Sequence, residues 1–173
     1  MHTLNRPASW PTQKKLVNIL CFCLLDNHFH LLLKEVREGG ISMFMQKLGS
    51  SMARHFNLKY KEKGSLFQGA YRARTIKEDS YLRYVSAYIQ VKNTFEVINK
   101  GRLDIIKEFD TLYDLASKHL YSSLGSYTSS RLSPIIDKDI LGELYTPRDY
   151  KIFAKEVMFG RAEFSEETSS DLE

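Results

Sequence analysis

The feature that most constrains this chain is a pair of histidines, separated by a single residue, inside the apolar run from Asp26 to Leu33. Side chains alternate between the two faces of a β-strand, so His28 and His30 are predicted to share one face, with Phe29 on the other. Two neighbouring imidazoles on a rigid element are able to bind one divalent cation. They can equally fill a half-buried sheet face, because a metal site needs further ligands.

The residues on either side of the histidines predict a β-hairpin. An apolar run from Leu16 to Leu25 is typical of a strand, the next two residues are turn formers, and a second strand is expected from His28 to Glu35. Cys21 and Cys23 lie in the first strand, where residues two apart make poor disulfide partners. We therefore expect two buried free thiols, as in a reducing cytoplasm.

Periodicity and glycine positions predict the remaining elements. Apolar residues recur at helical spacing after the glycine pair at 39 and 40, with Ser42 as a candidate N-cap, and Gly64 is expected to end that element. The predicted elements are a helix from Ile41 to about Tyr60, a strand from Leu66 to Ile76, a second helix capped by Asp79 or Ser80 and running to about Asn99, and a region from Leu103 to Met158 that alternates helix and loop, with a loop around Ser122 to Pro134.

Charge is distributed unevenly along the 173 residues. The formal net charge is +4, and five acidic residues without a compensating base lie between Glu163 and Glu173, so residues 1–162 carry +9. The tail is predicted to be disordered. No run approaches the roughly 18 apolar residues of a membrane span, so no membrane association is expected.

A basic segment with interleaved aromatic residues suggests a nucleic-acid surface. Between Lys47 and Lys77 there are eight basic residues and one acid, Glu62. Such a pattern suits a phosphate backbone with unstacked bases, although a solvated helix face has a similar composition. The candidate contacts are Lys47, Arg54, Lys59, Lys61, Lys63, Arg72 and Arg74, interleaved with Phe56, Tyr60, Phe67 and Tyr71.

Three tyrosines form a stripe on the second predicted helix. Tyr81, Tyr84 and Tyr88 are spaced i, i+3 and i+7, which places them on one face. Such a stripe is commonly core or interface packing. Next to a cation bound by two histidines, however, a phenolate can attack a phosphodiester.

The ordered motifs of residues 16–158 resemble a known family. The chain is similar to the single-tyrosine transposases of bacterial insertion sequences and their REP-associated relatives, which are members of the His-hydrophobic-His (HUH) nuclease superfamily. The matching segments are Asn27 to Leu32, Ile41 to Lys47, Gly64 to Tyr71, Tyr88 to Val91, Tyr121 to Ser123, Ser133 to Asp139, and Tyr150.

The resemblance implies a fold and an activity. It implies an α+β fold with a ferredoxin-like antiparallel sheet, helices on one face, and a mostly helical C-terminal extension. It also implies a cytoplasmic homodimer that acts on single-stranded, hairpin-forming DNA, with Mg²⁺ or Mn²⁺ on His28 and His30. Tyr88 would form a 5′-phosphotyrosine link, and the strand would be rejoined without ATP. The residue types alone also suit Zn²⁺.

Two departures from the family pattern concern activity. Only about fifteen residues precede Leu16, where relatives have a further strand and helix, so we expect an N-terminally truncated copy with an unpaired sheet edge. The position one turn after Tyr88 has an amide or another metal-binding side chain in the family but is Lys92 here, and a protonated lysine cannot be a ligand. Gln90 and Asn93 lie about 200° and 140° from Tyr88 on an ideal α-helix, so the third ligand is unassigned.

The expected organisation is an irregular segment over 1–15, a transposase-like core over 16–100, a helical extension over 101–160, and an acidic tail over 161–173. Lys92 is added to the candidate DNA contacts. Two alternatives to an active transposase remain open. One is a DNA-binding remnant that no longer cleaves, and the other is a domain in which the histidines and tyrosines are structural.

Overall fold

The computed structural model describes residues 14–129 and 131–160. This part of the chain has a two-stranded antiparallel sheet and several helices, so the predicted α+β class is confirmed. The acidic stretch Glu163 to Glu173 lies outside the described residues, as does most of the predicted irregular segment over 1–15.

The predicted β-hairpin is confirmed, with each strand slightly shorter than expected. Strand β1 is Val17–Leu24 and β2 is Phe29–Glu35. The backbone N–H of Leu25 donates to the carbonyl of His28 at 2.9 Å and closes the turn. Cys21 and Cys23 are buried free thiols, as predicted.

The helices occupy most of the described chain after the hairpin. None of those in the described residues is long and apolar enough to cross a bilayer. The helical elements are α1 (Gly40–Tyr60), α2 (Asp79–Ala87), a π-helical turn (Tyr88–Lys92), α3 (Asn93–Asn99), α4 (Phe109–Lys118), α5 (Leu124–Thr128), α6 (Asp139–Leu144) and α7 (Pro147–Met158).

The chain divides into two compact units. The described residues of the first unit are 14–18 and 33–75, and those of the second are 19–32 and 76–160 without 130. The first unit therefore contains α1 and the basic segment up to Arg74. The second contains both histidines and all the other helical elements.

In the first unit, α1 begins without the predicted Ser42 cap. Its N-cap is Gly39, whose left-handed φ of 69° favours glycine, and the carboxylate of Glu35 accepts the backbone N–H of Ile41 at 3.2 Å. The Ser42 hydroxyl instead lies 3.1 Å from the hydroxyl of Tyr71. The helix ends at Tyr60, which confirms its predicted end, and its C-cap is Lys61 and not Gly64.

The predicted strand from Leu66 to Ile76 is wrong. These residues form neither strand nor helix, and residues 68–75 are all exposed. A strand requires a neighbouring strand with which to pair, and the sheet of the described chain consists of β1 and β2 alone. Arg72 and Arg74 therefore lie on an irregular segment.

In the second unit, the predicted second helix is confirmed as a continuous run from Asp79 to Asn99, interrupted by the π-helical turn. Glu78 occupies the N-cap, so Asp79 lies in the first turn and does not cap the helix. The run packs into two apolar clusters. One joins it to the hairpin through residues such as Leu20 and Leu32, and the other joins it to α4 and α7.

Part of the outer edge of β1, at residues 22–24, is paired, whereas the sequence predicted an unpaired sheet edge. Residues 121–123, predicted as part of a loop, lie along it and form an antiparallel bridge between Cys23 and Ser122. The N–H of Leu24 donates to the carbonyl of Tyr121 at 2.8 Å. Further along the predicted loop, a short helix, α5, begins at Leu124.

Candidate functional site

The two histidines lie side by side, as the strand periodicity predicts. Their ring centroids are 5.0 Å apart and the rings are nearly perpendicular, at 84°. His30 is within β2, whereas His28 directly precedes it and is exposed. This spacing allows one nitrogen of each ring to approach a common cation.

Asn27 orients the ring of His28. The Nδ1 atom of His28 lies 2.6 Å from the side-chain oxygen Oδ1 of Asn27. An amide oxygen only accepts, so this contact places the ring proton on Nδ1 and leaves Nε2 as an acceptor. Histidine ligands are commonly oriented in this way by a hydrogen bond to the other ring nitrogen.

The environment of His30 favours the neutral ring. Burial lowers the pKa of His30 below its ordinary value of 6.5, and the charge on nearby His28 lowers it further. A neutral imidazole is the form that binds a metal, because the ligating nitrogen must be unprotonated. The lowered pKa of His30 therefore favours the unprotonated ring that a metal ligand requires.

Tyr88 is the tyrosine beside the histidines. Its ring is 6.0 Å from that of His30 in an edge-to-face arrangement, and its side chain is only 7% exposed. Tyr84 packs on Tyr88 with 6.4 Å between centroids, and Tyr81 stacks on Tyr84 at 6.3 Å, so the row runs back along α2. Burial, followed by the nearby Tyr81, raises the pKa of Tyr84, which disfavours a phenolate there.

Tyr88 begins the π-helical turn, and this overturns the helical-wheel argument made from the sequence. The backbone N–H of Asn93 donates to the carbonyl of Tyr88, an i to i+5 bond. The extra residue in such a turn changes the register of everything after it. The α-helical angles assumed for Gln90 and Asn93 do not hold across this turn.

Lys92 lies against the ring of Tyr88. Its ammonium nitrogen is 4.6 Å from the ring centroid and 3.8 Å from a carboxylate oxygen of Glu96. The attraction to the ring is of the cation–π type. The residue at the position where the family has a metal ligand therefore lies beside the tyrosine and is paired with Glu96.

No third His, Cys, Asp or Glu joins the two histidines in the described residues. Groups of three or more His, Cys, Asp or Glu with metal-binding geometry are absent from residues 14–129 and 131–160. Two imidazoles form a partial donor set, which fits a cation that keeps several waters and phosphate oxygens as ligands.

Sequence reasoning missed the importance of Gln90. Its side chain is completely buried, although its neighbours Ile89 and Val91 are apolar. It contacts Ser123 and Tyr150 through its amide group. The available signal was a lone amide inside an apolar stretch, which requires buried hydrogen-bond partners.

The predicted DNA contacts fall mostly in the first unit. All seven candidates from Lys47 to Arg74 are exposed, whereas Lys92 belongs to the second unit and is half-buried. Exposure leaves the seven cations accessible to a polyanion.

Two imidazoles beside a helix tyrosine, in an α+β protein with a basic segment, form a site that suits DNA strand cleavage. The sequence profile of the family described as "Transposase IS200 like" matches residues 9–92, a span that includes both histidines, the basic segment and Tyr88. This match confirms the resemblance to the IS200-like transposases over these residues and supports a transposase-like function on DNA. Comparisons with curated proteins and with solved structures give no significant match.

Proposed function

We propose that this protein is a single-tyrosine transposase that cleaves and rejoins single-stranded DNA, with Tyr88 as the nucleophile. The observation that carries the proposal is the position of Tyr88, whose ring is 6.0 Å from that of His30, which in turn is 5.0 Å from His28. The family match supports the DNA substrate.

In the proposed reaction the phenolate oxygen of Tyr88 attacks a phosphodiester phosphorus. The new bond joins tyrosine to the 5′ side of the break, and the leaving 3′ oxygen takes up a proton. A phosphotyrosine ester replaces a phosphate ester, so a 3′-hydroxyl can reverse the step without ATP. The strand is thereby cleaved and rejoined through one covalent intermediate.

We assign His28 and His30 as ligands of a divalent cation, Mg²⁺ or Mn²⁺. When bound, the cation would withdraw charge from the phosphoryl oxygens. Asn27 orients one ring, and burial keeps the other neutral. Zn²⁺ remains an alternative, because imidazole also suits that metal.

Lys92 has two opposed effects in this proposal. Its ammonium, 4.6 Å from the Tyr88 ring centroid, favours a phenolate and can contact the scissile phosphate. The same positive charge repels a divalent cation. We therefore expect slow cleavage and weak metal binding compared with a site that has an amide at this position.

The partners are proposed from the resemblance and from the surface. The exposed cations between Lys47 and Arg74 would bind hairpin-forming single-stranded DNA, and the active form would be a homodimer. A cytoplasmic location suits the DNA substrate and the buried free thiols.

The alternative is a DNA-binding remnant that no longer cleaves. Two observations favour it, namely Lys92 in place of a ligand and the lack of a third His, Cys, Asp or Glu beside the histidines in the described residues. DNA binding would persist in this case, while no covalent product would form.

The deciding experiment is covalent trapping. The protein is incubated with single-stranded hairpin DNA and Mn²⁺, and products are separated on denaturing gels. We expect an adduct from wild type, Tyr81→Phe and Tyr84→Phe, and none from Tyr88→Phe.

The two phenylalanine controls keep the neighbouring rings while removing one hydroxyl each. An adduct that survives Tyr88→Phe would overturn the assignment. Absence of an adduct from wild type, with the cognate hairpin present and bound, would favour the remnant.

A further inference from the structure

Gln90 is a polar side chain placed in the interior of the second unit, two residues after Tyr88. It is 0% exposed and belongs to the π-helical turn Tyr88–Lys92. Burying an amide is costly unless its donors and acceptors find partners. Its partners therefore restrict where this turn can lie.

The amide of Gln90 is held from two sides by residues that lie after 9–92, the span that the family profile matches. Its Nε2 donates to the hydroxyl of Tyr150 at 2.9 Å, and its Oε1 accepts from the hydroxyl of Ser123 at 2.9 Å. The Tyr150 hydroxyl in turn donates to Ser86 at 3.4 Å. The C-terminal extension thus contacts the turn that begins with Tyr88.

Ser123 ties this network to the hairpin. Its backbone N–H donates to the carbonyl of Phe22 at 3.0 Å, and its hydroxyl accepts the N–H of Phe22 at 2.9 Å. Phe22 belongs to β1, the partner of the strand that carries His30. A chain of hydrogen bonds therefore connects the β-hairpin with the π-helical turn that begins at Tyr88, through Ser123 and Gln90.

The backbone of Gln90 is held as well. Its carbonyl accepts the hydroxyl of Thr94 at 2.7 Å and that of Ser122 at 3.4 Å. Side-chain hydroxyls that bond to a helical carbonyl commonly stabilise departures from α geometry. These contacts stabilise the π-helical turn at the residue where the register changes.

We propose that Gln90 is a positioning residue, which acts with Ser123 and Tyr150 to hold the π-helical turn so that the Tyr88 phenol stays beside His30. This inference rests on the proposed function. It assigns a catalytic contribution to the C-terminal extension, which would set the geometry of the nucleophile from outside the matched residues 9–92.

The test removes one hydroxyl from the network. Tyr150→Phe keeps the ring, and Ser123→Ala is the second variant, in case the first folds poorly. The matched control is Tyr113→Phe, because Tyr113 is another buried tyrosine of the same unit, and its hydroxyl has no hydrogen-bond partner in the described chain.

Two measurements separate positioning from general stability. With wild-type DNA affinity retained, the single-turnover rate of adduct formation should fall about tenfold or more in Tyr150→Phe and Ser123→Ala, since misplacement by about 1 Å can cost 100-fold. In protein labelled with 3-fluorotyrosine, the Tyr88 fluorine resonance, assigned by its loss in Tyr88→Phe, should shift. Tyr113→Phe should change neither.

Either variant that retains the wild-type rate and Tyr88 resonance, even with a lower melting temperature, would overturn the proposal. The fluorine measurement also works without activity. If wild type forms no adduct, the proposed cleavage fails. A shifted resonance would then still support positioning, and an unshifted one would remove it.

Discussion

At the scale of single residues, the site depends on a few polar side chains whose neighbours influence their tautomer, protonation or position. The Oδ1 atom of Asn27 accepts the ring proton of His28 at Nδ1, and burial lowers the pKa of His30, which favours its neutral ring. Lys92 is shared between the face of Tyr88 and the carboxylate of Glu96. Each of these contacts joins residues that are only a few positions apart in the sequence. Single substitutions should therefore separate the effects of the individual contacts.

The first residue-scale prediction concerns the cation. Titration calorimetry should show Mn²⁺ binding to wild type and none to the double variant His28→Ala/His30→Ala. Asn27→Ala should weaken binding about tenfold, because outer-shell partners contribute 10–100-fold to metal affinity. His55→Ala removes a histidine of the first unit and should leave binding unchanged. Equal binding by wild type and the double variant would exclude the metal site.

The second concerns the titration of His30. Because burial and then His28 lower its pKa, its NMR titration midpoint should lie below 6.5. His28→Ala should raise the midpoint without bringing it to 6.5, since burial is the larger cause. As pH falls below 6.5, the unfolded chain binds a proton that folded His30 does not. The contribution of His30 to the free energy of unfolding is therefore fully present above pH 6.5. It is lost as the pH falls through the lowered pKa of the folded state. A midpoint at or above 6.5 would contradict the burial of this ring.

At the scale of elements, α1 illustrates how close approach selects glycine. A Cβ at Gly40 would lie 2.3 Å from the carbonyl oxygen of Leu16, whereas a Cβ at Gly49 would meet only a Phe67 ring carbon, at 3.9 Å. Both glycines belong to the same helix. Only the first is required by packing within its unit.

These two glycines provide a matched pair for a stability measurement. Gly40→Ala should lower the free energy of unfolding by about 1–3 kcal/mol, because the methyl group forces backbone apart. Gly49→Ala should raise it by up to about 1 kcal/mol, since alanine is the better helix former. Urea unfolding followed by circular dichroism measures both. A neutral Gly40→Ala would show that α1 can move away from Leu16.

The irregular segment that carries Arg72 and Arg74 is the second element with a testable role. If it binds single-stranded DNA, affinity should fall by about 0.7 log unit per log unit of salt for each phosphate neutralised. Arg72→Ala/Arg74→Ala should flatten this slope. The control Arg102→Ala/Arg148→Ala removes two exposed arginines of the second unit and should not. Equal slopes would exclude the segment from the DNA contact.

At the scale of the whole molecule, α1 leaves several large apolar side chains exposed. Gly40 is its only buried residue among 21, while Phe56, Leu58 and Tyr60 are 37%, 72% and 54% exposed. Phe56 and Tyr60 pack together, with 4.6 Å between their ring centroids, whereas Leu58 lies about 200° from Phe56 around the helix. Large exposed apolar side chains on a helix that buries so little of itself are typical of interaction surfaces. The proposed homodimer would offer a place for these side chains.

Sedimentation equilibrium should therefore give twice the 20.1 kDa mass of the chain. Leu58→Lys should weaken the association, because a charge would be buried where an apolar side chain was. Leu132→Lys is the control, since Leu132 is 92% exposed and lies in the second unit. A monomer at all concentrations would refute the proposed dimer. Equal effects of Leu58→Lys and Leu132→Lys would show that the interface does not depend on α1.

The sequence by itself determined the local features of this protein. Period-2 alternation predicted the hairpin and the shared face of His28 and His30, and helical periodicity predicted α1 and the helix that carries Tyr88. These features depend on sterics and side-chain direction within a few residues. The ordered motifs also indicated the family, because their spacing is itself a property of the sequence.

Only the tertiary structure decided the contacts between residues far apart in the chain. The sequence did not reveal that residues 121–123 cover the edge of β1, or that Ser123 and Tyr150 hold Gln90 in a π-helical turn. It also predicted a strand from Leu66 to Ile76, for which the described chain contains no partner strand. Strand pairing and buried polar networks need partners that local propensity does not specify, so their outcome depends on which distant segments meet.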